Sequence, residues 1–407
     1  MPTRHVPYWL DRFKKARRPS YPRQRGTLDT SVVVVGAGLT GCACAWSFAA
    51  AGVKVVLLEA EAIGAGATAG GPGLIREDFA ASFQATASIH GLRAARSLWQ
   101  NMRRASLDFP AALRRLNVRC DLASEDFLVI ARRDAQLTRL LQREYQNRRD
   151  GGLEHSWLKP AVVMRQASIE SGGAIRTHGS SFDPYRACIG LASAAATRGA
   201  AIYEKSRVQR IRAGRKHVEV TTASGTVRAE TVLVATAAPL PDLRALRRHL
   251  KPFDTYAVVT EPLPAAVRRE VGSRASALRD TETPPHLLRW LKEDRALFSG
   301  ADQTQVSDRG RAKALVQRTG QLMYELSVLY PSISGLQPEW AWDVTEYETV
   351  DSLPFAGLHR NFPRHLFAMG ASRHGEGFAW LAARILLRQY QGAPVKGDEL
   401  FGFSRVL

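Results

Sequence analysis

The chain has 407 residues, 45% hydrophobic and 23% charged, enough to bury a large core and to form two domains. Its formal net charge of +19 leaves open a polyanion partner, a membrane surface or acidic substrates, or else cations spread over solvated faces. No apolar run reaches the roughly 18 residues of a membrane span, and four scattered cysteines make neither a disulfide framework nor a zinc site.

The basic start (Arg4, Arg12, Lys14, Arg18, Arg23, Arg25) is followed by no apolar core of a signal peptide. It reads as an arm leading into the first strand, and the expected setting is the cytoplasm, with reduced thiols. Val32 to Val35 are four valines in a row, as suits a strand buried on both faces. Gly36, Gly38 and Gly41 then fit G-x-G-x-x-G, with Ala37, Leu39 and Thr40 between them, and a helix is expected over 42–51. Gly52 ends it, and residues 53–58 form a second strand closing on Glu59 and Ala60. This is a complete β-α-β unit for dinucleotide binding. Gly36 permits the tight turn, Gly38 lets a pyrophosphate approach the backbone, and Gly41 lets helix and strand pack. The helix N-terminus faces the phosphates, and Glu59 can accept bonds from a ribose.

The run Ile63 to Arg76 is dominated by Gly, Ala and Thr, too small to pack a helix of its own and suited to backbone lying flat on a ligand. A helical region is expected over 85–116, a strand over 127–131 and a charged helix over 134–149. Ser181-Phe182-Asp183-Pro184 precedes a helix over 185–198. A strand at 200–203 follows, then β segments at 208–211, 218–222 and 226–228, and a buried strand from Thr231 into the Ala235-Thr236-Ala237 turn. Residues 251–343 read as a more antiparallel region, with strands at 256–260, 286–290 and 296–299 and a helix over 309–329. A strand at 366–369 leads through a glycine turn, 370–377, into a last helix over 378–390. No internal repeat is visible, and no aromatic-interleaved basic motif marks a nucleic-acid module.

Taken together, the glycine motif with Glu59, the loop through Thr68 and Gly73, Phe182-Asp183-Pro184 and the strand ending at Ala235-Thr236-Ala237 resemble the FAD-dependent D-amino-acid oxidase superfamily. The C-terminal Asp351-x-Leu353-Pro354-Phe355-x-Gly357, followed by Gly370 and Gly375-Glu376-Gly377-Phe378, resembles it too. The glycine oxidase, sarcosine oxidase and gamma-glutamylputrescine oxidase branch is the nearest in pattern. The resemblance implies an α/β fold: a Rossmann-like FAD domain (1–100, 180–250 and 345–407) and a substrate domain on an antiparallel sheet (101–179 and 251–344). It implies that Gly36, Ala37, Gly38, Thr40, Gly41, Glu59 and Ala60 hold the ADP half of FAD. Ala67, Thr68 and Gly71 would line the flavin side, and Val208 would give backbone bonds to adenine. Ala235, Gly370 and Glu376 join the cofactor set, and Gly375, Gly377 and Phe378 would approach the isoalloxazine.

Some relatives bind FAD through a cysteine before the C-terminal Asp. The run Trp342 to Thr349 has none, so non-covalent FAD is expected. Two lysines of sarcosine oxidases match Ala379 and the apolar Leu297-Phe298, which weakens that assignment. Arg76 falls where a carboxylate-binding arginine is found, and a guanidinium fork suits a carboxylate. The alternative is a surface arginine paired with Glu77 or Asp78. His286, Arg373 and His374 complete the candidate substrate-side set, the last two being either flavin or substrate contacts or solvated turn residues. Alternation puts His286, Leu288 and Trp290 on one strand face and Trp340 with Trp342 on another, as core or as pocket wall. The implied activity is oxidation of the C–N bond of a small amine or amino acid, with oxygen or an electron carrier taking the electrons onward. A flavoenzyme acting on a modified tRNA base and a non-catalytic flavin-binding protein are the alternatives.

Overall fold

The computed structural model describes residues 2–14, 16, 18–132, 134–371 and 376–406. In chain order the first half runs α1 (Tyr8–Arg12), β1 (Gly26–Val35), α2 (Leu39–Ala50), β2 (Val55–Leu58), α3 (Ala67–Gly70), β3 (Leu74–Ile75), α4 (Phe83–His90) and α5 (Leu92–Arg115). Then come β4 (Ala123–Ala131), α6 (Ala135–Asp150), β5 (Ser156–Leu158), α7 (Pro160–Ala167), β6 (Gly173–Ser181), α8 (Pro184–Thr197), β7 (Ala201–Tyr203), β8 (Val208–Ala213), β9 (Val218–Thr222) and β10 (Gly225–Val234). The rest is β11 (Leu250–Thr260), α9 (Ala265–Glu270), β12 (Ser276–Asp280), β13 (Leu287–Leu291), β14 (Arg295–Thr304), α10 (Asp308–Leu329), β15 (Pro338–Thr349), β16 (Phe355–His359), β17 (Phe362–Met369) and α11 (Gly377–Tyr390).

The strands form two sheets. The first has the order β16-β17-β10-β1-β2-β7, parallel from β17 to β7, with β9 and β8 continuing from β10. The second has the order β15-β11-β14-β13-β12-β4-β6-β3, largely antiparallel, with β5 on β6. The four valines of β1 alternate between two cores. Val32 and Val34 meet α2, α8 and α11, whereas Val33 and Val35 meet the opposite layer with Phe355, Phe367 and Phe403. The first of these cores continues onto one face of the second sheet through Ala257, Leu297, Trp340 and Trp342. The other face of that sheet is covered by α10.

Several expectations change. The helical region 85–116 is two helices, because Gly91 takes φ +83° between α4 and α5. The segments 226–228 and 231–238 are one strand, β10, ending at Val234. Strands β6 and β12 carry no clear alternation in sequence and are not among the expected elements. The N-terminal arm does more than lead into β1. Its Arg4 N–H donates to the Glu339 carbonyl (2.9 Å), the Ala341 N–H donates to the Arg4 carbonyl (3.0 Å), and Tyr8 sits edge-on to Trp340.

Candidate active site

A cavity of about 720 Å³ lies between the two sheets. One wall begins at the β1–α2 turn. Gly36 there has φ +98°, which a side-chain-bearing residue rarely adopts. A Cβ on Gly41 would stand 1.8 Å from the Gly36 carbonyl oxygen, so only glycine lets α2 start this close. Glu59, at the end of β2, accepts the Ala37 N–H (2.8 Å) and the Glu61 N–H (2.9 Å). Thr68 Oγ1 accepts the Leu39 N–H (2.9 Å), bringing the small-residue loop against the first turn of α2.

The loop itself is held from outside. The carbonyls of four consecutive residues each receive a side-chain donor: Gly70 from Trp342 (3.1 Å), Gly71 from Trp9 (2.9 Å), Pro72 and Gly73 from Arg289 (2.7 and 3.0 Å). Arg289 also donates to the Phe182 carbonyl (2.7 Å), and its burial lowers the guanidinium pKa. The N–H groups of Gly73 and Leu74 go to the Glu376 carboxylate (2.7 and 3.0 Å). Burial pushes the Glu376 pKa up, against the pull of those two bonds.

The floor is one row across the second sheet. Register pairs Trp342 with Ala257, Ala257 with Ser299, Ser299 with Leu287, Leu287 with Arg279 and Arg279 with Val129. All six residues line the cavity. Trp342 and Arg279 are four strands apart, about 19 Å at the usual strand spacing, with the small Ala257 and Ser299 between.

At the arginine end, Asp78 is fully buried between two cations: Arg76 Nη1 at 3.3 Å and Arg279 Nη2 at 3.5 Å. Burial opposes ionisation of Asp78, but Arg76 and then Arg279 hold its carboxyl below the usual range. Burial brings Arg279 down to about 10, so it is a cation at neutral pH. The other carboxylates nearby make further contacts. Glu77 faces His155 and Arg103, Glu144 binds Arg148, Asp280 binds His286, and Glu376 takes the two loop amides.

Arg76 is thus a cavity residue, 4% exposed, ion-paired with Asp78 and lying over the Phe127 ring, rather than a surface group. His286 borders the cavity, but Nδ1 meets Asp280 (2.7 Å) and Nε2 meets Glu325 (2.8 Å). Burial works against its charged form and the two carboxylates outweigh it, so its pKa rises. Its ring stacks on Phe298 in the core that also takes Leu288 and Trp290, as alternation implied. Gly36, Gly38, Thr40, Glu59, Ala67, Thr68, Gly71, Ala235, Gly370 and Glu376 line the cavity. Ala37 and Gly41 stand behind that surface. Ala60 and Val208 do not border it, though Ser206 near Val208 donates its N–H to the Glu59 carbonyl (2.7 Å). Neither Gly377 nor Phe378 lines the cavity: the Phe378 side chain is fully buried near Phe401, and Gly377 abuts Ile75. Arg373, His374 and Gly375 lie outside the described residues. Sequence reasoning missed Arg279, Trp9 and the Trp342 contact to Gly70. A lone arginine on an unrecognised strand carries no signal, and Trp9 lies before any motif.

The profile of the FAD dependent oxidoreductase family, named DAO, matches residues 31–389. The chain belongs to this family. Gamma-glutamylputrescine oxidoreductase of Escherichia coli is 27% identical over 377 residues, covering 91% of this chain and 86% of its own. Glycine oxidase of Bacillus licheniformis is 23% identical over 387 residues, covering 91% and 96%. Among solved structures, glycine oxidase from Geobacillus kaustophilus superposes with a TM-score of 0.76 at 20% identity, covering 93% of this chain and all of that one. This family member is therefore an FAD-dependent enzyme, and its residues fit the cofactor. Gly36 and Gly41 clear the space at the β1–α2 turn, Glu59 stands at the end of β2, and the 67–73 wall is flat. Among the described residues no helix is long and apolar enough to cross a membrane.

Proposed function

We propose that this enzyme oxidises the C–N bond of a small amino acid or other carboxylate-bearing amine, with the carboxylate held by Arg76 and Arg279. The observation that carries this reading is the pair of guanidiniums on the cavity wall sharing one buried carboxylate, Asp78. Both guanidiniums border the cavity beside that carboxylate and suit an anionic group of the substrate. FAD, when bound, supplies the two-electron acceptor that converts the amine to an imine for water to hydrolyse. Gly36, Gly38, Thr40 and Glu59 are suited to its ADP half, and the 67–73 wall with Gly370 to its flavin half. The chain's own task is placement. The arginines fix one end of the substrate, Ala257 and Ser299 leave room above the floor, and Trp342 closes the far end.

The test is anaerobic bleaching of the bound flavin by a panel of amino acids and their matched decarboxylated amines. Amino acids should bleach it and the amines should do so poorly. Equal bleaching by both would remove the carboxylate from the reading. Peroxide formation in air, with whichever substrate works, separates oxygen from another electron acceptor.

A further inference from the structure

The residues that hold the loop 70–73 come from widely separated parts of the chain, and one of them precedes the nucleotide-binding motif. Trp9 lies on α1, in the segment before residue 31 where the family match begins. Its indole N–H donates to the Gly71 carbonyl at 2.9 Å, and its ring lies 5.0 Å from the Arg289 guanidinium. That guanidinium in turn holds the carbonyls of Pro72 and Gly73. The arm carrying Trp9 is anchored on β15 by the backbone bonds of Arg4 and by Tyr8 against Trp340.

We infer that the N-terminal arm is part of the cofactor site, with Trp9 a positioning residue that sets the surface of the 70–73 wall. This rests on the reading of that wall as the flavin side. The physical reason is that these residues have almost no side chains with which to hold themselves. A buried carbonyl left without a donor is costly. With Trp9 removed, the Gly71 carbonyl turns to find another donor. The Gly71–Pro72 peptide, which borders the cavity, turns with it. Arg289 also loses the ring against which it packs.

The experiment uses the full chain with Trp9→Phe, which removes the N–H and keeps a ring, and Trp9→Ala, which removes both. Arg12→Ala is the control. It breaks the arm's ion pair with Glu293, and among the described residues Arg12 makes no hydrogen bond to the loop 70–73. The readouts are FAD affinity of the apoprotein by flavin fluorescence quenching, apoprotein melting temperature, and hydrogen exchange at the amides of Gly70, Gly71 and Gly73. Trp9→Phe should weaken FAD binding about tenfold, the scale of one buried hydrogen bond. Trp9→Ala should weaken it further, exchange at the three glycines should quicken in both, and Arg12→Ala should match the wild type. FAD affinity within twofold of wild type for Trp9→Phe would overturn the inference, even if Trp9→Ala fails to fold. So would losses that track melting temperature equally in all three variants, since the arm would then act only on global stability. Failure of the wild-type chain to bind FAD would overturn the cofactor reading itself, a separate outcome.

Discussion

Replacing Arg279 with Met separates substrate binding from folding, because Asp78 has two cationic partners. Removing one guanidinium leaves Asp78 facing Arg76 at 3.3 Å, so the buried carboxylate is not stranded. Met keeps most of the apolar stem on the sheet between Leu287 and Val129. The melting temperature should therefore fall by only a few degrees. The guanidinium that Arg279 presents on the cavity floor, in contrast, is lost. A hydrogen bond to a charged group contributes about 1.5–3 kcal/mol, so kcat/KM for a carboxylate substrate should drop by roughly ten- to 150-fold. The same substrate as its primary amide should lose less than about threefold, since it never used the charge. Arg279→Lys should recover part of the loss, because an ammonium keeps the charge without the planar fork. The assay is steady-state kinetics with the acid and amide side by side, alongside a thermal melt. Equal losses for both substrates, or losses that follow the melting temperature, would show that Arg279 only supports Asp78 and that the charge argument is wrong.

Two further outcomes are expected. Acid precipitation should leave all FAD in the supernatant, since β15 from Trp342 to Thr349 carries no cysteine; flavin retained in the pellet would show a covalent link through another residue. Asp183 caps α8 by accepting the Arg186 N–H, and burial pushes its carboxyl up to about 6. A folded value above the unfolded one means its contribution is full at acid pH and lost as the pH rises through about 6. Asn also caps well, so Asp183→Asn should gain on the wild type in melting temperature between pH 4 and pH 8; a pH-independent difference would contradict this.

The cavity wall at the β1–α2 turn was legible because its pattern is local. Gly36, Gly38, Gly41 and Glu59 sit within one β-α-β unit, close in sequence as in space. The small-residue loop was legible by what it lacks. The floor on the second sheet was not, because it is built across strands. Ala257, Ser299, Leu287 and Arg279 become neighbours only through sheet register, and nothing in any one strand marks them. His286 lies just before β13, its ring in the core with Leu288, and its two carboxylate partners, one on β12 and one on α10, are invisible to periodicity.

The way the 70–73 carbonyls are held has a consequence for assembly. Their donors come from residues 9, 289 and 342, and the acceptor for the neighbouring amides is residue 376. Contacts of such sequence separation form late, because long loops must close before they are rewarded. A nascent chain that has completed β1, α2 and β2 has the whole glycine motif and Trp9, but not yet Arg289, Trp342 or Glu376, which hold the rest of the wall beside it. On the proposed reading of that wall as the flavin side, cofactor capture follows the docking of Glu376 at the start of α11, late in folding.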